Sequence, residues 1–199
     1  MKATLASRQS TEPRHTNVQV NGNCLEVGEA LKLNLGGRDT QIPGFKTVDL
    51  KPGPTVDYQS DISDLSFCKD GTVDEIYASH CLEHFSHQRT LFVLEEWHRV
   101  LKRGAKCYIS VPDFEAAIKL YLEWGMTDYV RNLLWGDQGY DLAYHYAPFT
   151  FPVLLNLLHK AGFKDVKRMT WMPHKVMDCS RLVDTVDNKP VSLTVEATA

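Results

Sequence analysis

Residues 31–50, LKLNLGGRDTQIPGFKTVDL, constrain the fold more tightly than any other stretch of the chain. Leu31 to Leu35 reads as a buried strand, Gly36 and Gly37 follow, and Phe45 to Leu50 reads as a second strand ending on Asp49 and Leu50. Two parallel strands of one sheet need a crossover of about a dozen residues, usually carrying a helix. The segment between these two is shorter and is cut by Pro43-Gly44, so a tight helical turn is the most it can hold. A dinucleotide site also needs GxGxxG ahead of a helix N-terminus. Here the glycines are adjacent and a third is missing. The pattern disfavours NAD and nucleoside triphosphates. A phosphate-free ligand, needing only polar anchors and close approach to the main chain, remains compatible.

Downstream, strand-like and helix-like patterns alternate, which predicts an α/β sheet with helices on its faces. Thr55 to Gln59 is a weak third strand, VDEIYAS (73–79) a fourth and KCYISV (106–111) a fifth; stretches near 164–171 and 190–197 finish a sheet of seven. Residues 87–101 place Leu91, Leu94, Trp97 and Leu101 on one helical face, with Lys102-Arg103-Gly104 as the C-terminal stop. Asp113 is placed to cap a helix to Trp124 and Thr150 one to Lys160, with another helix inside 127–135. GDQGYDLAYHY is a tyrosine-rich loop, and no repeat or linker divides the chain. One domain over 21–199 is expected, after a disordered polar arm at 1–20.

At 199 residues and 43% hydrophobic, the chain can bury a sizeable core. A net charge of -3 argues against nucleic acid or an anionic membrane surface as the main partner. Five scattered cysteines with no CxxC fit reduced thiols and a cytoplasmic location. No apolar run approaches membrane-spanning length, and the first residues lack the apolar core of a secretory signal.

Ligands of open parallel sheets bind beyond the carboxyl ends of the strands. The residues expected there are Gly36 and Gly37, Asp49, then Asp61 and Ile62, then Ser79, His80, Glu83 and His84. A carboxylate such as Asp49 accepts hydrogen bonds from both hydroxyls of a ribose. Asp61 suits the exocyclic amine of an adenine whose ring lies on Ile62. Singly, each acid also fits an exposed loop; at the ends of successive strands they favour an adenosyl group without phosphates, which is S-adenosylmethionine (SAM).

In order along the chain, LKLNLGG, TVDL, SDISDLSFCKDGTVDEIYASHCLEHF, EEWHRVLKRGAKCYISVPDF and LLHKAGF resemble the motifs of the seven-strand, class I SAM-dependent methyltransferases. The likeness is greatest to compact bacterial members with a shortened first crossover and an ending like SLTVEA (192–197). It implies a Rossmann-like three-layer α/β sandwich, mostly parallel, with an antiparallel last strand. It also implies SAM as cofactor and S-adenosylhomocysteine (SAH) as product. By position, Leu35, Gly36 and Gly37 would lie against the methionine part, Asp49 with Leu50 on the ribose, and Asp61 with Ile62 on the adenine. Ser79 and His80 would line the wall where adenine and donor methyl meet. Two positions depart from the pattern: Asn34 stands where an acid is usual, and Ala105 follows Gly104 where a second glycine is usual. Asn34 can still bond the amino group of the methionine part, without a charge. The same departures suit a second reading, an idle SAM- or nucleoside-binding module.

HCLEHFSH also spells H-x-x-E-H, in which two histidines one helical turn apart hold zinc and the glutamate acts as base. A zinc hydrolase built on His80, Glu83 and His84 is a distant alternative. The motif starts directly off a strand, and no distant carboxylate helix offers a third ligand, so no metal is assigned. Next to a methyl donor, His80, Glu83 and His84 could instead hold or deprotonate a hydroxyl, with His145 among the tyrosines of 140–146 as a further candidate. The expected acceptor is a small molecule or a glycan-type group, methylated at oxygen.

Overall fold

Five parallel strands form the centre of the sheet. In chain order they are β2 (Lys32–Leu35), β3 (Phe45–Asp49), β4 (Tyr58–Gln59), β5 (Val73–Ser79) and β6 (Leu101–Pro112). The computed structural model describes residues 19–20, 30–183 and 189–199. Across the sheet the order is β1-β4-β3-β2-β5-β6-β8-β7, with β1 (Gln19–Val20), β7 (Lys164–Met169) and β8 (Ser192–Thr198) at the flanks. The last strand, β8, runs antiparallel and slots between β6 and β7. Among the described residues this is the expected seven-strand, mostly parallel sheet, with one addition: Gln19 and Val20 pair antiparallel to β4. The rest of the expected arm, residues 1–18, lies outside the described residues.

Alternation along the strands divides the two faces. Leu33, Leu35, Ile76, Ala78, Cys107 and Ile109 point into the main core under α1 (Thr90–Val100) and α4 (Phe151–Lys160). The opposite face presents Phe45, Tyr77 and Tyr108, covered by Met172 and Val176. Helices α2 (Phe114–Trp124) and α3 (Asp128–Trp135) pack on each other and on Val191, at the carboxyl end of the sheet. Trp97 is the largest fully buried side chain, and burying a side chain of this kind contributes roughly 1.5–3 kcal/mol. Its Nε1 donates to the Ile62 carbonyl at 2.8 Å, so the core helix also anchors a loop at the rim of the sheet.

Several local expectations are corrected. Helix α1 ends at Val100, and Leu101 is already extended; Lys102-Arg103-Gly104 belongs to β6 rather than to a helix cap. β6 can start this early because its first residue pairs with Val73 before an irregularity restores the register. Thr150 occupies the cap position of α4 without a side-chain bond, whereas Asp113 accepts from the Glu115 and Ala116 amides. The weak third strand shrinks to Tyr58–Gln59, since the Asp57 carboxylate turns back to accept from the Thr47 amide.

Candidate active site

The carboxyl ends of β2, β3, β4 and β5 border a cavity of about 380 Å³, within the usual range for a small-ligand site. Its floor is the glycine turn. Gly36 has φ of +69°, and a Cβ there would stand 2.7 Å from the Cβ of Cys81. A Cβ on Gly37 would stand 2.0 Å from Nδ2 of Asn34. That Nδ2 donates to the Thr40 carbonyl at 2.8 Å, so Asn34 bolts the turn shut from beneath. The chain needs glycine twice here because the turn folds onto its own strand, and this close approach leaves the cavity open above it.

Asp49 sits where two loops cross. Its carboxylate accepts from the Arg38 amide at 3.1 Å and the Lys51 amide at 2.9 Å. Each oxygen keeps a lone pair for a ligand hydroxyl. One oxygen of Asp61 takes both the amide (2.8 Å) and the hydroxyl (2.7 Å) of Ser63, which leaves Oδ2 for a ligand. Ile62 lies beside it, held by Trp97. At the end of β5, the buried Ser79 hydroxyl has no hydrogen-bond partner among the described residues.

Asn34, Gly36, Gly37, Asp49, Leu50, Asp61, Ile62, Ser79, His80 and His84 all line this cavity. Leu35 does not: it is fully buried on the α1 side of the sheet. Glu83 and His145 are also off this wall. Tyr140 of the tyrosine-rich loop joins it, and residues not anticipated, among them Arg38, Lys51, Cys81, Asp178 and Cys179, also line it. The Lys51 ammonium lies 3.4 Å from the centre of the Tyr140 ring and joins the rim to the tyrosine-rich loop. Asp178 is held by the Tyr77 hydroxyl at 2.6 Å, from a segment whose local sequence carries no hint of the site. Burial pushes the Cys81 thiol well above its ordinary range, so it serves as packing and not as a nucleophile.

At the inner end of the cavity stands the histidine cluster. His80 leaves β5 with φ of +50°, uncommon outside glycine and a form of strain found at functional sites. Its Nε2 lies 2.9 Å from the Ser192 hydroxyl. Leu82–His84 then forms a single 3₁₀ turn instead of the helix a zincin motif requires. Glu83 is 1% exposed. Its backbone carbonyl accepts from the Tyr146 amide at 2.8 Å, which ties the loop bearing His145 to the turn. The His84 and His145 rings lie 5.1 Å apart, edge to face. Burial acts to raise the Glu83 carboxyl, but His80, His84 and His145 outweigh it and hold it below the usual carboxylate range. Burial lowers His145, more than the attraction of Glu83 raises it.

Residues 41–109 match the family Methyltransf_11, a methyltransferase domain. That segment is similar to a methyltransferase domain, and the sheet around it has the fold of class I, SAM-dependent methyltransferases. A SAM-dependent methyltransferase from Archaeoglobus fulgidus shares the fold at 18% identity and a TM-score of 0.56, over 86% of this chain and 87% of its own. The 1,6-didemethyltoxoflavin-N1-methyltransferase of Burkholderia thailandensis, with SAH bound, matches at 17% identity and a TM-score of 0.51, over 85% and 70% of the two chains. A possible histamine N-methyltransferase from Thermotoga maritima matches at 16% identity and a TM-score of 0.52, over 86% and 83%. No curated protein sequence matches. The residues lining the cavity are compatible with SAM: two glycines whose added Cβ atoms would collide, and two acids at successive strand ends.

Proposed function

We propose that this methyltransferase acts in the cytoplasm on a small hydroxylated acceptor, sugar-like in character, and methylates it at oxygen. The observation that carries this reading is the wall at the inner end of the donor cavity. His84 lines that cavity, while His145, one ring away, lines a second concavity of about 340 Å³ with Phe114, Tyr121, Trp135 and Tyr146. Aromatic faces suit a sugar or other flat ring. Bound SAM supplies an electrophilic methyl on a positively charged sulfonium. An amine can attack it in neutral form and lose its proton afterwards, but a hydroxyl must shed its proton as it attacks. His84 and His145 line the two cavities and would take that proton, with the buried Glu83 carboxylate behind them to hold the charged ring.

The other residues orient and exclude water. Asp49 would take the ribose hydroxyls, and Asp61 with Ile62 the adenine. Asn34 Nδ2 is used by the Thr40 carbonyl, which leaves Oδ1 to accept from the amino group of the methionine part, and Asp178 would supply the negative charge that Asn34 lacks; it hangs from Tyr77, the register partner of Asn34. The free thiols of Cys68, Cys81, Cys107 and Cys179 support a reducing location. Among the described residues no helix is long and apolar enough to cross a membrane.

The test is release of SAH on a panel of sugars, phenols and matched amines. Turnover on hydroxyl compounds, lost in Glu83→Gln while SAH affinity is kept, is the expected result. Turnover on amines alone would refute the oxygen assignment.

A further inference from the structure

Behind the donor cavity, Glu83, His84 and His145 bring a carboxylate oxygen and two ring nitrogens close together. Neither carboxylate oxygen of Glu83 has a hydrogen-bond partner among the described residues, although the side chain is 1% exposed. His80 Nδ1 comes to 3.3 Å of Oε1, an ion pair when that ring is protonated. His84 Nδ1 lies 3.0 Å from the Tyr144 carbonyl, and His145 Nδ1 lies 3.1 Å from the Leu133 carbonyl. A carbonyl only accepts, so in each neutral ring Nδ1 carries the hydrogen and Nε2 keeps its lone pair. His145 Nε2 therefore turns a lone pair toward Glu83 Oε1 at 3.9 Å, too far for a hydrogen bond.

A buried anion facing lone pairs is costly unless a cation lies between them. Two imidazoles and one carboxylate are the donor set of catalytic zinc sites, with a position left open. Backbone carbonyls on the far nitrogens are the outer contacts that orient such ligands. One ligand atom from each of Glu83, His84 and His145 lies within 4.8 Å of the others. Ligands about 2.0–2.2 Å from a tetrahedral ion lie roughly 3.4 Å apart, so rotamer shifts of about an ångström close the site.

We propose that Glu83, His84 and His145 bind one divalent ion of the zinc class, between the donor cavity and the aromatic concavity. His80, engaged with Ser192, is a positioning residue rather than a ligand. The motif reading paired His80 with His84; the fold replaces His80 with His145, a third ligand arriving from a distant loop. An ion there keeps a position open for an acceptor oxygen. That last consequence rests on the hydroxyl-acceptor reading, whereas the ion does not.

The test uses the full chain, stripped with chelator and titrated with Zn²⁺ alone in the absence of acceptor. One equivalent of Zn²⁺ per chain is expected, bound about 100-fold or more weakly in Glu83→Gln and His145→Ala. Both variants should bind SAH as the wild type does, which shows that they are folded. Reconstitution with Co²⁺ should give the visible bands of an imidazole-bound ion. Uptake far below one equivalent, Zn²⁺ affinity unchanged in both variants, or absence of Co²⁺ bands in the wild-type protein would each overturn the proposal. Should a variant lose SAH binding, the wild-type stoichiometry and Co²⁺ spectrum decide alone. Failure of hydroxyl acceptors in the turnover panel leaves these readouts unaffected, so the two ideas fail separately.

Discussion

Substituting alanine at Gly37 tests the claim that the donor cavity exists because its floor folds onto Asn34. The new Cβ would lie 2.0 Å from Nδ2, 2.5 Å from Cγ and 2.8 Å from Oδ1 of Asn34, all side-chain atoms of one buried residue. Asn34 must move, which breaks its bond to the Thr40 carbonyl. Overpacking of this kind costs about 1–3 kcal/mol. Leaving a buried polar group unpaired costs about another 1–3 kcal/mol. The sum, roughly 2–6 kcal/mol, is a large part of an ordinary domain's stability. Asn34→Ala alone should cost about 1–2 kcal/mol, for the lost bond. The double variant is the decisive one, because alanine at position 34 lacks all three atoms that the new methyl would strike. It should recover about 1–3 kcal/mol relative to the additive expectation. Urea denaturation measures stability, and calorimetry with SAH measures the site, where Gly37→Ala should weaken binding at least about tenfold. Strict additivity, or a Gly37→Ala protein as stable as wild type, would show that the turn does not close on Asn34 as described.

Three further outcomes are expected. Calorimetry with SAH should show Asp49→Ala and Asp61→Ala each losing about 1–3 kcal/mol of affinity; Asp178→Asn should weaken binding too, and binding that survives all three changes would undo the site assignment. Trp97→Phe removes the bond to the Ile62 carbonyl and should cost about 1 kcal/mol in urea denaturation. It should also weaken SAH binding several-fold, and unchanged affinity would mean that the Asp61–Ile62 rim does not depend on α1. Burial acts to raise the Asp74 carboxyl, but Lys102 and the Leu31 amide outweigh it and the net shift is downward. A carboxyl lowered by folding stabilises the protein above the ordinary carboxylate range and ceases to do so as the pH falls below it. Asp74→Asn should therefore flatten the stability profile below about pH 4, measured by denaturation across that range; an unchanged acid slope would place the linkage elsewhere.

Much of the cavity lining was legible from local pattern. Gly36-Gly37, Asp49 and Asp61 stand just past short apolar runs, and a parallel sheet gathers such positions at one edge whatever the rest of the chain does. Leu35 shows the limit of that logic: strand alternation turns it into the α1 core while its neighbours Asn34 and Gly36 reach the cavity. Thr150 shows another limit, since a cap residue in the right place made no cap bond.

The order of strand, turn and helix, the need for glycine where β2 meets its turn, and the two acids at the rim follow from residue types and spacings alone, because each is a short-range consequence of backbone sterics and alternation. The company that Glu83 keeps is of another kind. Ser192 reaches His80 only because β8 returns between β6 and β7, and His145 reaches Glu83 only because the loop after α3 hydrogen-bonds to the 3₁₀ turn. Asp178 likewise arrives over Tyr77 from a segment remote in the chain. No local period encodes such meetings, since they depend on which strands pair and where the connecting loops are pinned.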